Sequence, residues 1–165
     1  MPAEFDPIAI LRALERHGVK YVVVGGFAAW MQGAPVVTTD VDIVYDANAA
    51  NISALVAALD DLGAIYRHQM GRRLQPQADG LASTEAAGHH LLNTRSGDLD
   101  VLRTASGLDY RELTTDTIAL EIDGLEVRFA PLSRIIAMKE AAGRPKDLAA
   151  LPVLRAALEN ADDGT

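Results

Sequence analysis

Hydrophobic positions along this chain change their spacing several times, and each change marks an element. Behind Asp6-Pro7, which suit an N-cap and a first helical position, Ile8, Leu11 and Leu14 recur at helical spacing. A helix is expected from there to about Arg16, stopped by Gly18. The spacing then collapses to a continuous β-branched run over 20–24, the mark of a buried strand. A short helix is expected over 26–32, closed by Gly33 and Pro35, and a second strand over 41–45. Ile52, Leu55, Val56 and Leu59 predict an amphipathic helix over 51–62, ended by Gly63.

The middle of the chain is less regular. A strand is expected over 64–67, and the polar, turn-rich segment 70–88 reads as a long loop with one short hairpin. Two short strands follow over 90–94 and 98–102. A clearer hairpin covers 117–122 and 125–129, with Asp123-Gly124 at its turn. Pro131 opens a helix to about residue 142, and Pro145 opens another to about 158. This order predicts an α+β fold, a mixed β-sheet flanked by helices with two helices at the C-terminal end. One domain is expected over 1–165, its core at about 20–130 and its C-terminal helices at 131–159.

Composition narrows the class. Apolar residues make up 49% of the 165 positions and charged residues 23%, ordinary for a globular domain. No apolar stretch reaches the ~18–20 residues of a membrane helix, and no basic-then-apolar leader is present, so a cytoplasmic location without membrane contact is expected. The absence of cysteine removes disulfides, thiolate metal sites and thiol nucleophiles. A net charge of −8 argues against non-specific binding to nucleic-acid backbone, while leaving room for a specific RNA on a local patch. Basic residues gather at Arg67, His68, Arg72 and Arg73 and again at Lys139, Arg144 and Lys146; for any one of them a solvated face is the simpler reading.

The chemistry concentrates between Tyr21 and Tyr45. One apolar run ends in Gly25-Gly26, and after thirteen further residues a second opens with Asp40-Val41-Asp42. Two residues apart on a strand, Asp40 and Asp42 share a face, where they repel unless a cation or proton lies between them. A glycine turn running into a helix lets a phosphate approach backbone N–H groups. Gly97-Asp98-Leu99-Asp100 offers a further carboxylate pair. Asp100, between apolar neighbours, is expected to point into a cleft as a third ligand; Asp98, beside a turn, is the alternative.

These residues resemble the nucleotidyltransferase superfamily of the DNA polymerase β type: Gly25-Gly26, the thirteen-residue gap, Thr38-Thr39-Asp40-Val41-Asp42-Ile43 and Leu99-Asp100-Val101. Within it they are similar to small bacterial proteins related to the AbiEii and MenT toxins. The Lys139…Arg144-Pro145-Lys146-Asp147 segment resembles the C-terminal signature of those proteins. The resemblance implies transfer of a nucleoside monophosphate from an NTP to an acceptor hydroxyl, with two Mg²⁺ ions held by Asp40, Asp42 and Asp100. It implies that Gly25, Gly26 and Thr38 take part in nucleotide binding, and that Lys139, Arg144 or Lys146 neutralise phosphate or recruit the acceptor. The acceptor would be a tRNA end or a small molecule such as an antibiotic, and a toxin branch would add an antitoxin protein as partner.

Two positions depart from the pattern. Many relatives carry serine where Gly26 stands, and the small relatives carry arginine where Val36 stands. The lost cation leaves a second reading open, a catalytically weak or inactive relative that serves as a binding module. Arg72 or Arg73 is a substitute from another direction. Asp147 is expected to orient Arg144 or Lys146 rather than bind metal. His89 and His90, adjacent on a strand, face opposite ways and make no ligand pair. Phe27, Trp30 and Met31 are expected in the core.

Overall fold

The computed structural model describes residues 3–84 and 88–164. The chain opens with α1 (Pro7–Arg16), whose first turn is capped by Asp6, its Oδ1 accepting from Ala9 N at 3.1 Å. Strand β1 (Tyr21–Val24) is buried along its whole length and runs directly into α2 (Gly25–Met31). Strand β2 (Asp40–Tyr45) follows, then α3 (Ala49–Asp61), capped by Asn48. Buried Asn51 ties these pieces together. Its amide donates to Lys20 O and Asp46 O and accepts from Lys20 N, so α3 is pinned to the start of β1 and the end of β2.

The strand expected over 64–67 is β3 (Ile65–Tyr66), and the segment expected as a loop holds one short helix, α4 (Ala78–Ala82). Leu81 is fully buried, and Tyr45 Oη donates to its carbonyl at 2.6 Å. Among the described residues no hairpin occurs there; residues 85–87 lie outside them. The predicted strand pair appears as β4 (His89–Thr94) and β5 (Gly97–Leu102). The pattern over 103–116 predicted no element. It contains a two-stranded ribbon, β6 (Thr104–Ala105) and β7 (Leu108–Asp109), and the single-turn α5 (Tyr110–Leu113), closed by an Asp109–Glu112 capping box. The Asp-Gly hairpin is β8 (Ile118–Ile122) and β9 (Leu125–Phe129). Two helices end the chain, α6 (Leu132–Ala142) and α7 (Pro145–Asp163), separated by Gly143 in a left-handed conformation (φ 64°).

Seven strands form one mixed sheet in the order β3-β4-β5-β2-β1-β9-β8. β2 is antiparallel to β1 and parallel to β5, and the hairpins β4–β5 and β8–β9 extend the sheet on either side. This is the predicted α+β architecture, with both C-terminal helices. Val41, Ile43 and Val44 of β2 are fully buried, as are Leu99 and Val101 of β5. The alternate positions on these strands therefore hold the carboxylates. Trp30 departs from expectation: α2 is short and buries Phe27, Ala28 and Ala29, leaving the indole 51% exposed and stacked on Phe27.

Candidate active site

Parallel pairing of β2 with β5 sets the site. Asp40 stands opposite Asp98 and Asp42 opposite Asp100. Carboxylate oxygens of Asp40, Asp42 and Asp100 all lie within 4.8 Å of one another. The predicted third member is thus Asp100, while Asp98 sits one pair further along. Burial, then the charges of Asp40 and Asp100, push the Asp42 carboxyl up to about 8. Burial and Asp100 raise Asp40 as well. Carboxyls in this condition are poised to exchange protons for a cation.

The glycines meet this cluster from β1. Val24 pairs with Asp42, so the turn into α2 passes against the Asp42 side chain. Gly25 has φ +73°, and a Cβ there would overlap Asp42 Oδ2 and stand 3.0 Å from its Cγ. Glycine at 25 is therefore required by the aspartate itself. At Gly26 a Cβ would meet Thr38 Oγ1 at an ordinary 3.5 Å, so a side chain fits. Thr38 Oγ1 donates to Asp40 O at 3.0 Å and shapes the approach to β2. Val36 packs against the core, beside Phe27 and Trp30, away from the carboxylates.

The C-terminal helices close a cleft of about 190 Å³ over Gly25 and Asp42, with Val24, Leu102, Ile135 and Met138 as apolar walls and Lys139 and Arg144 as cations. Asp147 is completely buried and holds both cations. Lys139 Nζ bonds its Oδ1 at 3.2 Å, and Arg144 bonds Oδ2 through Nε at 2.6 Å and Oδ1 through Nη2 at 3.2 Å. These bonds, that of Arg144 foremost, hold the Asp147 carboxyl down at about 2. The expected orienting role of Asp147 thus has its geometry, directed at Arg144 and Lys139. Lys146 is exposed and does not line the cleft.

Arg67 was not singled out by sequence reasoning, which grouped it with surface basic residues. Its side chain is 15% exposed and reaches from the end of β3 across β4 to β5. Nη1 donates to Asp98 Oδ2 at 2.9 Å and Nη2 donates to Asp100 Oδ1. Arg73 lies in a separate groove beside Thr39 and Asp98, and Arg72 is exposed. His90 is buried, its Nδ1 2.7 Å from Tyr66 Oη, while His89 faces outward along the cleft, as their alternation predicted.

No family model and no curated protein matches the chain. Solved structures do. A Thermotoga maritima protein assigned as a nucleotidyltransferase is 18% identical with a TM-score of 0.57, the match covering 91% of this chain and 94% of that one. The lincosamide antibiotic adenylyltransferase LnuA, solved with lincomycin, is 14% identical with a TM-score of 0.58, covering 92% and 98%. ANT(2'')-Ia, solved with adenylyl-2''-tobramycin, is 15% identical with a TM-score of 0.57, covering 94% and 90%. At these identities the likeness is one of fold, and the fold is that of nucleotidyltransferases. No helix among the described residues is long and apolar enough to cross a membrane.

Proposed function

We propose that this protein is a divalent-metal-dependent nucleotidyltransferase that moves a nucleoside monophosphate from an NTP to an acceptor hydroxyl. The observation that carries the reading is the Asp40–Asp42–Asp100 cluster, three carboxylates from two adjacent strands within 4.8 Å, set against the Gly25 turn. An all-oxygen donor set suits a hard cation, and Mg²⁺ is the natural one beside a triphosphate. The raised Asp40 and Asp42 carboxyls fit the same demand, since their mutual repulsion is relieved by a positive charge. When bound, one or two such ions would screen the triphosphate and favour departure of pyrophosphate.

The chain's own residues supply the rest. Asp40 and Asp42 hold their carboxylates on one face of β2, and Asp42 lines the cleft. Gly25 and Gly26 keep the start of α2 free of side chains, so a phosphate can come close to backbone N–H groups. Lys139 and Arg144, braced by Asp147, bring positive charge to the opposite wall and neutralise phosphate there. Asp100 has Oδ1 committed to Arg67, which leaves Oδ2 to receive the proton of the acceptor hydroxyl as it attacks the α-phosphorus. Thr38 supports the backbone of Asp40, and Lys146, exposed outside the cleft, is free to meet the acceptor.

The acceptor belongs to one of two classes. The fold neighbours solved with lincomycin and with adenylylated tobramycin support a small molecule; the Lys139–Asp147 segment, through its resemblance to the AbiEii and MenT toxins, supports a tRNA end in a cytoplasmic toxin–antitoxin pair. Incubation with Mg²⁺ and each labelled NTP, once with bulk tRNA and once with lincosamide and aminoglycoside acceptors, tests both. Label transfer in wild type that is lost in Asp42→Ala is the expected result. A wild-type protein that binds neither Mg²⁺ nor any NTP by calorimetry would overturn the enzyme reading in favour of an inactive binding module.

A further inference from the structure

The carboxylate cluster carries a cation of its own. Asp40, Asp42, Asp98 and Asp100 line up as two register pairs on β2 and β5, a local charge of up to four negatives. Arg67 is placed to offset it. Its backbone N–H bonds Leu91 O at 2.9 Å, which fixes the residue beside β4. Its guanidinium then spans Asp98 and Asp100, two residues apart on one face of β5. Asp98 is held from its other oxygen by Asn93 Nδ2 at 2.5 Å, so the far end of the fork is anchored. Arg67 Nε is buried and has no hydrogen-bond partner among the described residues. A guanidinium held at such a cost to one of its donors is there for what its other two nitrogens do.

Resting on the metal-dependent reading above, we propose that Arg67 is a positioning residue for the metal centre, with two effects. It fixes Asp100 by Oδ1 and so holds the carboxylate in place beside Asp42. It also adds a permanent positive charge beside Asp100, which lowers the affinity of the free protein for a divalent ion. The ion is then taken up with the NTP, whose triphosphate brings the extra negative charge. Ion uptake and substrate binding become linked, and the nucleotide-free cluster binds cations more weakly than it would without Arg67.

The test measures Mn²⁺ binding directly, by calorimetry and by the electron paramagnetic resonance signal of free Mn²⁺, with and without a non-hydrolysable NTP. Wild type, Arg67→Gln and Arg67→Lys are compared. In the absence of nucleotide Arg67→Gln should bind Mn²⁺ roughly tenfold more tightly than wild type, the effect of removing one near charge at a partly buried site. Arg67→Lys keeps the charge and should bind as wild type does. Both variants lose the two-pronged grip on Asp98 and Asp100, so kcat should fall with KM for the metal–nucleotide complex little changed. Should Arg67→Gln fail to fold, the kcat-against-KM split in Arg67→Lys carries the test. Unchanged or weakened Mn²⁺ affinity in a folded Arg67→Gln, or unaltered kcat in Arg67→Lys, would overturn the proposal. Absence of Mn²⁺ binding in wild type with and without nucleotide would instead overturn the metal-dependent reading itself.

Discussion

Gly25 and Gly26 are neighbours with different duties. Gly25 combines a left-handed φ with direct contact to Asp42, so any side chain there must either strain the backbone or displace the carboxylate. Gly25→Ala should cost ~1–3 kcal/mol in urea unfolding and should lower transfer activity through the displaced aspartate. Gly26→Ser has room, and a hydroxyl at the start of a helix suits the position. Its stability should stay within ~0.5 kcal/mol of wild type, and the KM for NTP should fall. At this scale much of the site was legible beforehand. Asp40, Asp42 and Asp100 announced themselves because polar residues interrupt runs that are otherwise buried. Arg67 did not, since its role depends on which strand lies two places away in the sheet, and no local pattern around residue 67 encodes that.

Among elements, the junction of α6 and α7 turns on one residue. Asp147 opens α7 fully buried and gathers Lys139 from one helix and Arg144 from the linker. Because its carboxyl is held down at about 2, the stability it contributes is present above the ordinary value of 3.8 and is lost as pH falls from about 4 toward 2. Asp147→Ala should remove this acid-limb dependence. It should also cost ~1–3 kcal/mol, below the range for a wholly buried pair, because the Arg144 side chain is 60% exposed. The pH dependence of the unfolding midpoint in the two proteins checks both statements. Helices α1, α2, α3, α6 and α7, the β-branched strands and the Asp-Gly hairpin followed from periodicity and turn chemistry. The ribbon β6–β7 was hidden by strands only two residues long, while the Asp109–Glu112 capping box of α5 was open to view in the sequence.

Across the whole molecule, the sheet order places the carboxylates where their charges oppose stability and where a cation could be held. With its carboxyl raised from 3.8 to about 8, Asp42 contributes fully to stability below 3.8, and that contribution is lost as pH rises toward 8. Metal-free wild type should therefore weaken between about pH 4 and 8 relative to Asp42→Asn, which has no charge to bury. Saturating Mg²⁺ should reverse the order, raising the wild-type melting temperature by roughly 5–10 °C at a hundredfold excess over Kd and leaving Asp42→Asn unmoved. Scanning calorimetry on both proteins, with and without the ion, reads the reversal.

The register of β2 with β5 has one more consequence, for the order in which the chain folds. Asp40 and Asp98, like Asp42 and Asp100, are 58 residues apart in sequence yet directly paired. Local hairpins such as β4–β5 and β8–β9 close over turns of two residues and can form early. The parallel zipper between β2 and β5 must wait for a long loop to close, and two of its five pairs bring like charges together. The carboxylate cluster is thus expected to assemble later than the hairpins beside it, and a rise in ionic strength, by screening the like charges, should speed its pairing in stopped-flow refolding.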